Sequence, residues 1–148
     1  PAHRRLPHAM HAALACGNDF PKCLGSWMPA HDFQEAFVLW RGIGVDYEGG
    51  VLDGPARVAI QLAHRGMAIV VAAYLLGIAV KLIRTPGLVY WGSMLAALVL
   101  AQAALGISNV VFSLPLWVAV AHNAGAALLL FVLVGLLARL REPEQGDN

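Results

Sequence analysis

Apolar residues gather into three long stretches, Val58 to Val80, Leu88 to Val111 and Leu116 to Leu137. Each is long enough to cross a hydrocarbon layer, which takes about 20 residues. Pro86 and Gly87 interrupt the chain after the first stretch and Pro115 after the second, where short turns between antiparallel spans belong. A backbone inside lipid has no water to bond with, so the three stretches are predicted to be helices.

The segment before them, residues 1–57, is polar enough to be ordered on the membrane surface. Asp32 followed three residues later by Glu35 has the pattern of a capping box at a helix start. Phe33, Phe37 and Trp40 then share one face at helical spacing, which predicts a short amphipathic helix lying in the interface. Gly42, Gly44, Gly49 and Gly50 mark irregular chain beyond it. Asp53 and Pro55 are placed to cap and open the first membrane helix. Trp27, Trp40, Tyr47 and Trp117 fit an aromatic belt at one interface, and Tyr90 and Trp91 one at the other.

Lys and Arg set the orientation. Lys81 and Arg84 flank the first turn, and Arg139 and Arg141 follow the third span, whereas the second turn, Ser108 to Trp117, carries no charge. The first turn and the C-terminal tail, residues 139–148, are therefore expected in the cytoplasm. The second turn and residues 1–57 are expected outside, where Arg41 and Arg57 lie close to the acids Asp46, Glu48 and Asp53.

Composition agrees. Of 148 residues, 59% are hydrophobic and 13% charged, about half the charged share of an ordinary soluble domain. A net charge of +1 without a basic run gives no footing for nucleic acid. Pro1 in place of an initiator methionine suggests a fragment or a processed product, and Pro1–Met10 lacks the apolar segment of a signal peptide.

The chemistry is concentrated in two histidines. His64 lies six residues into the first span and His122 six residues into the third, each roughly 9 Å below the outer boundary at about 1.5 Å per residue. Both spans run in the same direction, so the imidazoles can meet across a bundle. Ionisable groups at membrane depth are costly and usually functional, and neutral imidazole is a good iron ligand. Gly125 and Ala126 beside His122, and Ala68 beside His64, leave room for a flat cofactor; alternatively, Ala121 and Gly125 form a small-xxx-small helix contact. Arg65 needs an anionic partner, and the spans contain no Asp or Glu. A haem propionate, an acid of the outer segment, or snorkelling to the surface would each serve. Gln61, Gln102 and Asn123 read as interhelical hydrogen-bond partners rather than ligands. Iron held by two histidines has no open position, which points to electron transfer or a structural haem rather than oxygen chemistry.

Cys16 and Cys23 lie in the segment placed outside, where thiols oxidise. A structural disulfide closing a short loop is the first reading. A redox-active pair is the second, and a zinc site completed by His3, His8 and His11 a third.

Several runs together resemble haem A synthase. They are Ala13-Leu14-Ala15-Cys16, Asp19 through Trp27, Phe37 through Arg41, and Asp46-Tyr47-Glu48-Gly49-Gly50-Val51-Leu52-Asp53 continuing into Pro55 through Ile60. His64-Arg65 and Ala121-His122-Asn123 are similar to that family's second pair of haem ligands. The resemblance covers nearly the whole chain from about Ala13. It implies an eight-helix enzyme of two similar four-helix halves, which oxidises a methyl group of haem O to the formyl group of haem A for cytochrome oxidase assembly. This chain corresponds to the C-terminal half, where the histidines hold haem b. Two features depart from the family pattern. Pro1–Met10 is too polar and too short to be the membrane helix expected before the cysteine loop, so the chain is expected to start late or to be truncated, and that loop has one residue more between its cysteines.

The expectation is thus an all-α membrane protein. Residues 58–138 would form three transmembrane helices of an incomplete four-helix haem-binding bundle, preceded by the extracytoplasmic segment 1–57. His64 and His122 would ligate the iron of haem b, with Arg65 beside them. The N-terminal half of the enzyme and the lipid bilayer of a bacterial inner membrane would be its partners. A bis-histidine electron-transfer cytochrome b without biosynthetic activity is the alternative, and a haem-free protein whose histidines only bond between helices the third.

Overall fold

The computed structural model describes residues 15–38 and 52–141. Regular structure among them is helical: α1 (Phe33–Ala36), α2 (Gly54–Ile83), α3 (Val89–Val111) and α4 (Leu116–Arg141). The last three are each long and apolar enough to cross a membrane, and they make this a multi-pass membrane protein. Many of their large apolar side chains, among them Ile69, Tyr74, Leu100 and Phe131, are exposed. Such faces suit a lipid solvent rather than water.

The helices outrun the apolar stretches at polar ends. α2 begins at Gly54 and continues to Ile83, and α4 continues to Arg141. Hydropathy marks only the part that suits lipid, whereas helical hydrogen bonding continues until a cap ends it. Asp53 supplies the start of α2: its carboxylate accepts from the Ala56 amide at 2.8 Å and its carbonyl from the Arg57 amide at 3.1 Å. Lys81 in the last turn of α2, and Arg139 with Arg141 in that of α4, sit where the helix dipole favours cations.

Helix α1 is shorter than the pattern through Trp40 suggests. The Asp32 carboxylate accepts from the Glu35 amide at 2.9 Å as the cap requires, but the helix closes at Ala36, one turn long. One turn fixes several dihedrals for few hydrogen bonds, and the following Phe37-Val38 favours extended chain. The Phe33 and Phe37 rings still stack, with centroids 6.4 Å apart. Trp40, Tyr47 and the glycines from Gly42 to Gly50 lie outside the described residues, as do His3, His8 and His11.

Both turns are local. Between α2 and α3, the Thr85 amide donates to Leu82 O and the Leu88 amide to Thr85 O, and Gly87 takes a positive φ of 80° that suits glycine. Between α3 and α4, the Leu114 amide donates to Asn109 O at 2.8 Å, Ser113 and Leu114 are left-handed, and Pro115 precedes α4.

The described chain divides into two compact units. One comprises residues 15–38, 52–69 and 107–115. Its buried centre is the Cys16–Cys23 disulfide against Val58 of α2, flanked by Ala15 and Leu62. The other comprises residues 70–106 and 116–141. Its core is Leu75, Ala79 and Leu82 of α2, Leu95 and Val99 of α3, and Leu136 of α4. Gly92 permits the closest approach there, since a Cβ on it would lie 2.7 Å from Ala79 O and from the Ile83 amide nitrogen.

Candidate functional site

The stripe of α3 that carries the second unit's core runs through Gly92, Leu95 and Val99 at steps of three and four. The same step leads on to Gln102 and Gly106. On α4, Leu136 and Val132 belong to a corresponding stripe that reaches Gly125, His122 and Val118. The sequence thus continues an apolar seam into a polar one, and the seam's contacts follow from that.

The side-chain amide of Gln102 donates to the backbone carbonyl of His122 at 2.8 Å. A carbonyl only accepts, so this bond fixes the amide's orientation and leaves its Oε1 directed elsewhere. That oxygen occupies the place where a Cβ on Gly125 would be. One turn along α3, Gly106 faces the imidazole itself: a Cβ there would lie 3.2 Å from Cε1 and 3.7 Å from Nδ1 of His122. Two buried polar atoms of this seam, Gln102 Oε1 and His122 Nδ1, have no hydrogen-bond partner.

The space beside Gly125 is therefore filled by Gln102, which favours the close-contact reading of that glycine over room for a flat ring. Gln102 is an interhelical partner as its sequence context suggests. Gln61 and Asn123 make no such bond among the described residues. Gly106 carried no flag in the sequence, although its i, i+4 spacing from the lone glutamine of an apolar helix was the signal available.

In the other unit, His64 stands ten residues after the start of α2 (54 to 64). It is exposed and has no hydrogen-bond partner among the described residues. Eleven residues are close to three helical turns, so His64 shares a face of α2 with Leu75. Arg65 points about 100° away and does something else. Its Nη1 donates to the carbonyls of Lys22 at 2.9 Å and Pro21 at 3.3 Å, and its Nη2 to that of Asp19 at 3.1 Å. The guanidinium also lies 5.9 Å from the Phe20 ring centroid.

Of the partners expected for Arg65, the outer segment is the one the structure supplies, through backbone carbonyls with the Asp19 charge close by. Neutral carbonyls of the cysteine loop take its terminal nitrogens, because the disulfide folds residues 16–23 into a tight loop whose backbone oxygens converge beside α2. Only Nε is buried without a partner. The loop is further held by the Asp19 carboxylate, which accepts from the Gly25 amide, and by paired Cys23–Ser26 backbone bonds at 2.8 and 3.0 Å. Ser113 Oγ donates to Asn18 Oδ1 at 2.8 Å. Among the described residues no three His, Cys, Asp or Glu side chains cluster as a metal site.

Comparison with known proteins places this arrangement among relatives. Residues 8–134 match the COX15-CtaA family, described as cytochrome oxidase assembly protein. The chain is similar to heme A synthase of Shewanella oneidensis, with 46% identity over 124 residues, 84% of this chain and 37% of that protein. It is also similar to the heme A synthases of Paracoccus denitrificans, 31% identical over 95% of this chain and 36% of the relative, and of Caulobacter vibrioides, 33% identical over 84% and 40%. The chain thus spans well under half the length of these curated relatives. No solved structure matches it.

Proposed function

The chain belongs to the COX15-CtaA family of cytochrome oxidase assembly proteins, and from that premise we infer that it is the haem b-binding C-terminal half of a haem A synthase. The whole enzyme would be an oxidoreductase that converts the methyl group of haem O to the formyl group of haem A, with this half relaying electrons. The membrane would be the bacterial inner membrane, with the C-terminus in the cytoplasm, as the cations at Lys81, Arg84, Arg139 and Arg141 favour.

His64 on α2 and His122 on α4 would hold the haem iron. The observation that carries the reading is His122. Its imidazole lies in an apolar helix seam with a buried nitrogen that no group among the described residues satisfies, an arrangement costly without a use. The donor set fits a haem: two imidazoles and no carboxylate or thiolate on the membrane helices. His64 lies on the face of α2 that continues into the apolar core, and it is not engaged by another side chain. When bound, the haem supplies a one-electron couple.

The protein's own groups would do the rest. His64 and His122 would hold the iron, the apolar faces around them would exclude water, and Arg65 would place a cation beside His64, with its Nε–H available to a propionate. The disulfide loop, tied to Arg65, would shield that end of α2 from solvent.

Expression of the whole protein in a host lacking haem A tests the assignment. Haem A should reappear with the intact protein and should be absent with His64→Ala or with His122→Ala. Residues 1–148 alone should not restore it. Full haem A formation by either histidine variant would contradict the ligand assignment.

A further inference from the structure

Resting on the haem-ligand reading of His122, we propose that Gln102 is the positioning residue for that histidine, working with the notch at Gly106. Four observations in one unit lead there. The Gln102 amide is anchored on His122's own backbone carbonyl at 2.8 Å. The carbonyl takes the amide's NH2 group, so Oε1 is left as a free acceptor. The imidazole's Cε1–Nδ1 edge faces the same helix one turn away, where a Cβ on Gly106 would lie 3.2 Å from Cε1 and press on the ring. Finally, the seam's two unpartnered buried atoms are complementary: Oε1 of Gln102 accepts, and Nδ1 of a histidine that ligates through Nε2 carries a proton to donate.

A metal-bound imidazole whose remaining N–H finds an oxygen acceptor is fixed in tautomer and orientation and is a stronger base. Within this unit's part of the α3 seam Gln102 brings the side-chain acceptor, since Leu95, Val99, Leu105 and Gly106 have none. Gly125 belongs to the same device. A side chain there would displace Oε1.

The test is Gln102→Met, which keeps the volume and removes the acceptor. It is carried out in the membrane-purified protein with its haem. Haem should be retained on purification but lost about 10- to 100-fold faster to a competing acceptor protein. The midpoint potential of the haem should move upward, because a weaker base favours the ferrous state. A purely structural Gln102 would lower the thermal stability of the haem-free protein and leave the potential where it was; that result overturns the proposal. If Gln102→Met fails to accumulate, Gly106→Ala decides, since its new methyl meets only the His122 ring within 4 Å. Faster haem loss supports the proposal, and a wild-type rate overturns it. Wild-type protein without haem removes the ligand reading beneath the proposal, whereas a haem-loaded wild type with unshifted variants removes the proposal alone.

Discussion

Arg65 donates to the carbonyl oxygen of Lys22 at 2.9 Å, joining two residues 43 positions apart in the chain. With the bonds to Pro21 and Asp19, this ties the Cys16–Cys23 loop to the face of α2 that also carries Val58 and Leu62. A planar guanidinium spans three carbonyls at once, which an ammonium cannot do with the same geometry. The histidine next door on α2 is left uninvolved.

Arg65→Ala should therefore free the loop. Reduction of the Cys16–Cys23 disulfide by dithiothreitol, followed by thiol labelling, should run several-fold faster than in the wild type, with Arg65→Lys in between. Equal rates in all three would show that the loop stands without Arg65.

Two glycines on the membrane helices should respond in opposite senses to the same substitution. Gly92→Ala sets a methyl against the backbone of Ala79 and Ile83, and backbone cannot yield as a side chain end can. A loss of about 1–3 kcal/mol is expected. Gly77→Ala meets nothing within 4 Å and should gain about 0.5–1 kcal/mol from helix propensity. Unfolding in mixed micelles measures both, and a stable Gly92→Ala would mean that α2 and α3 do not approach as described.

Asp53→Ala should cost about 0.5–2 kcal/mol, felt in the first turn of α2. Hydrogen exchange should accelerate at Ala56, whose amide the Asp53 carboxylate accepts, and stay unchanged around Leu75. Uniform acceleration along α2 would indicate that the cap matters to the whole helix.

Much of the fold is legible in the sequence because it depends on near neighbours. The apolar stretches locate the three long helices, Asp53 declares the cap of α2 and Asp32 that of the short α1, and Pro86-Gly87 and Pro115 mark the turns. The ends of α2 and α4 are not legible from hydropathy, since Gly54 to Arg57 and Ala138 to Arg141 are helical while not suited to lipid. Helix α1 is overread, because a periodic aromatic pattern does not supply the hydrogen bonds that a second turn needs.

The site is legible only as residue types. His64 and His122 stand out because ionisable groups in apolar helices are rare. Which helix face meets which is a tertiary matter, and the partners of Arg65 and His122 depend on it. Backbone carbonyls have no signature in a sequence, so a guanidinium bound by them cannot be read there. Gly125 illustrates the same limit: smallness is visible, but whether a cofactor or a glutamine fills the space is not.

The most direct measurement is the absorption spectrum of the purified membrane protein, oxidised and reduced, beside those of His64→Ala and His122→Ala. Axial ligation by the two histidines predicts low-spin haem b bands in the wild type and loss of that haem, or its conversion to a high-spin form, in each variant. A haem content and spectrum left unchanged by both substitutions would contradict it.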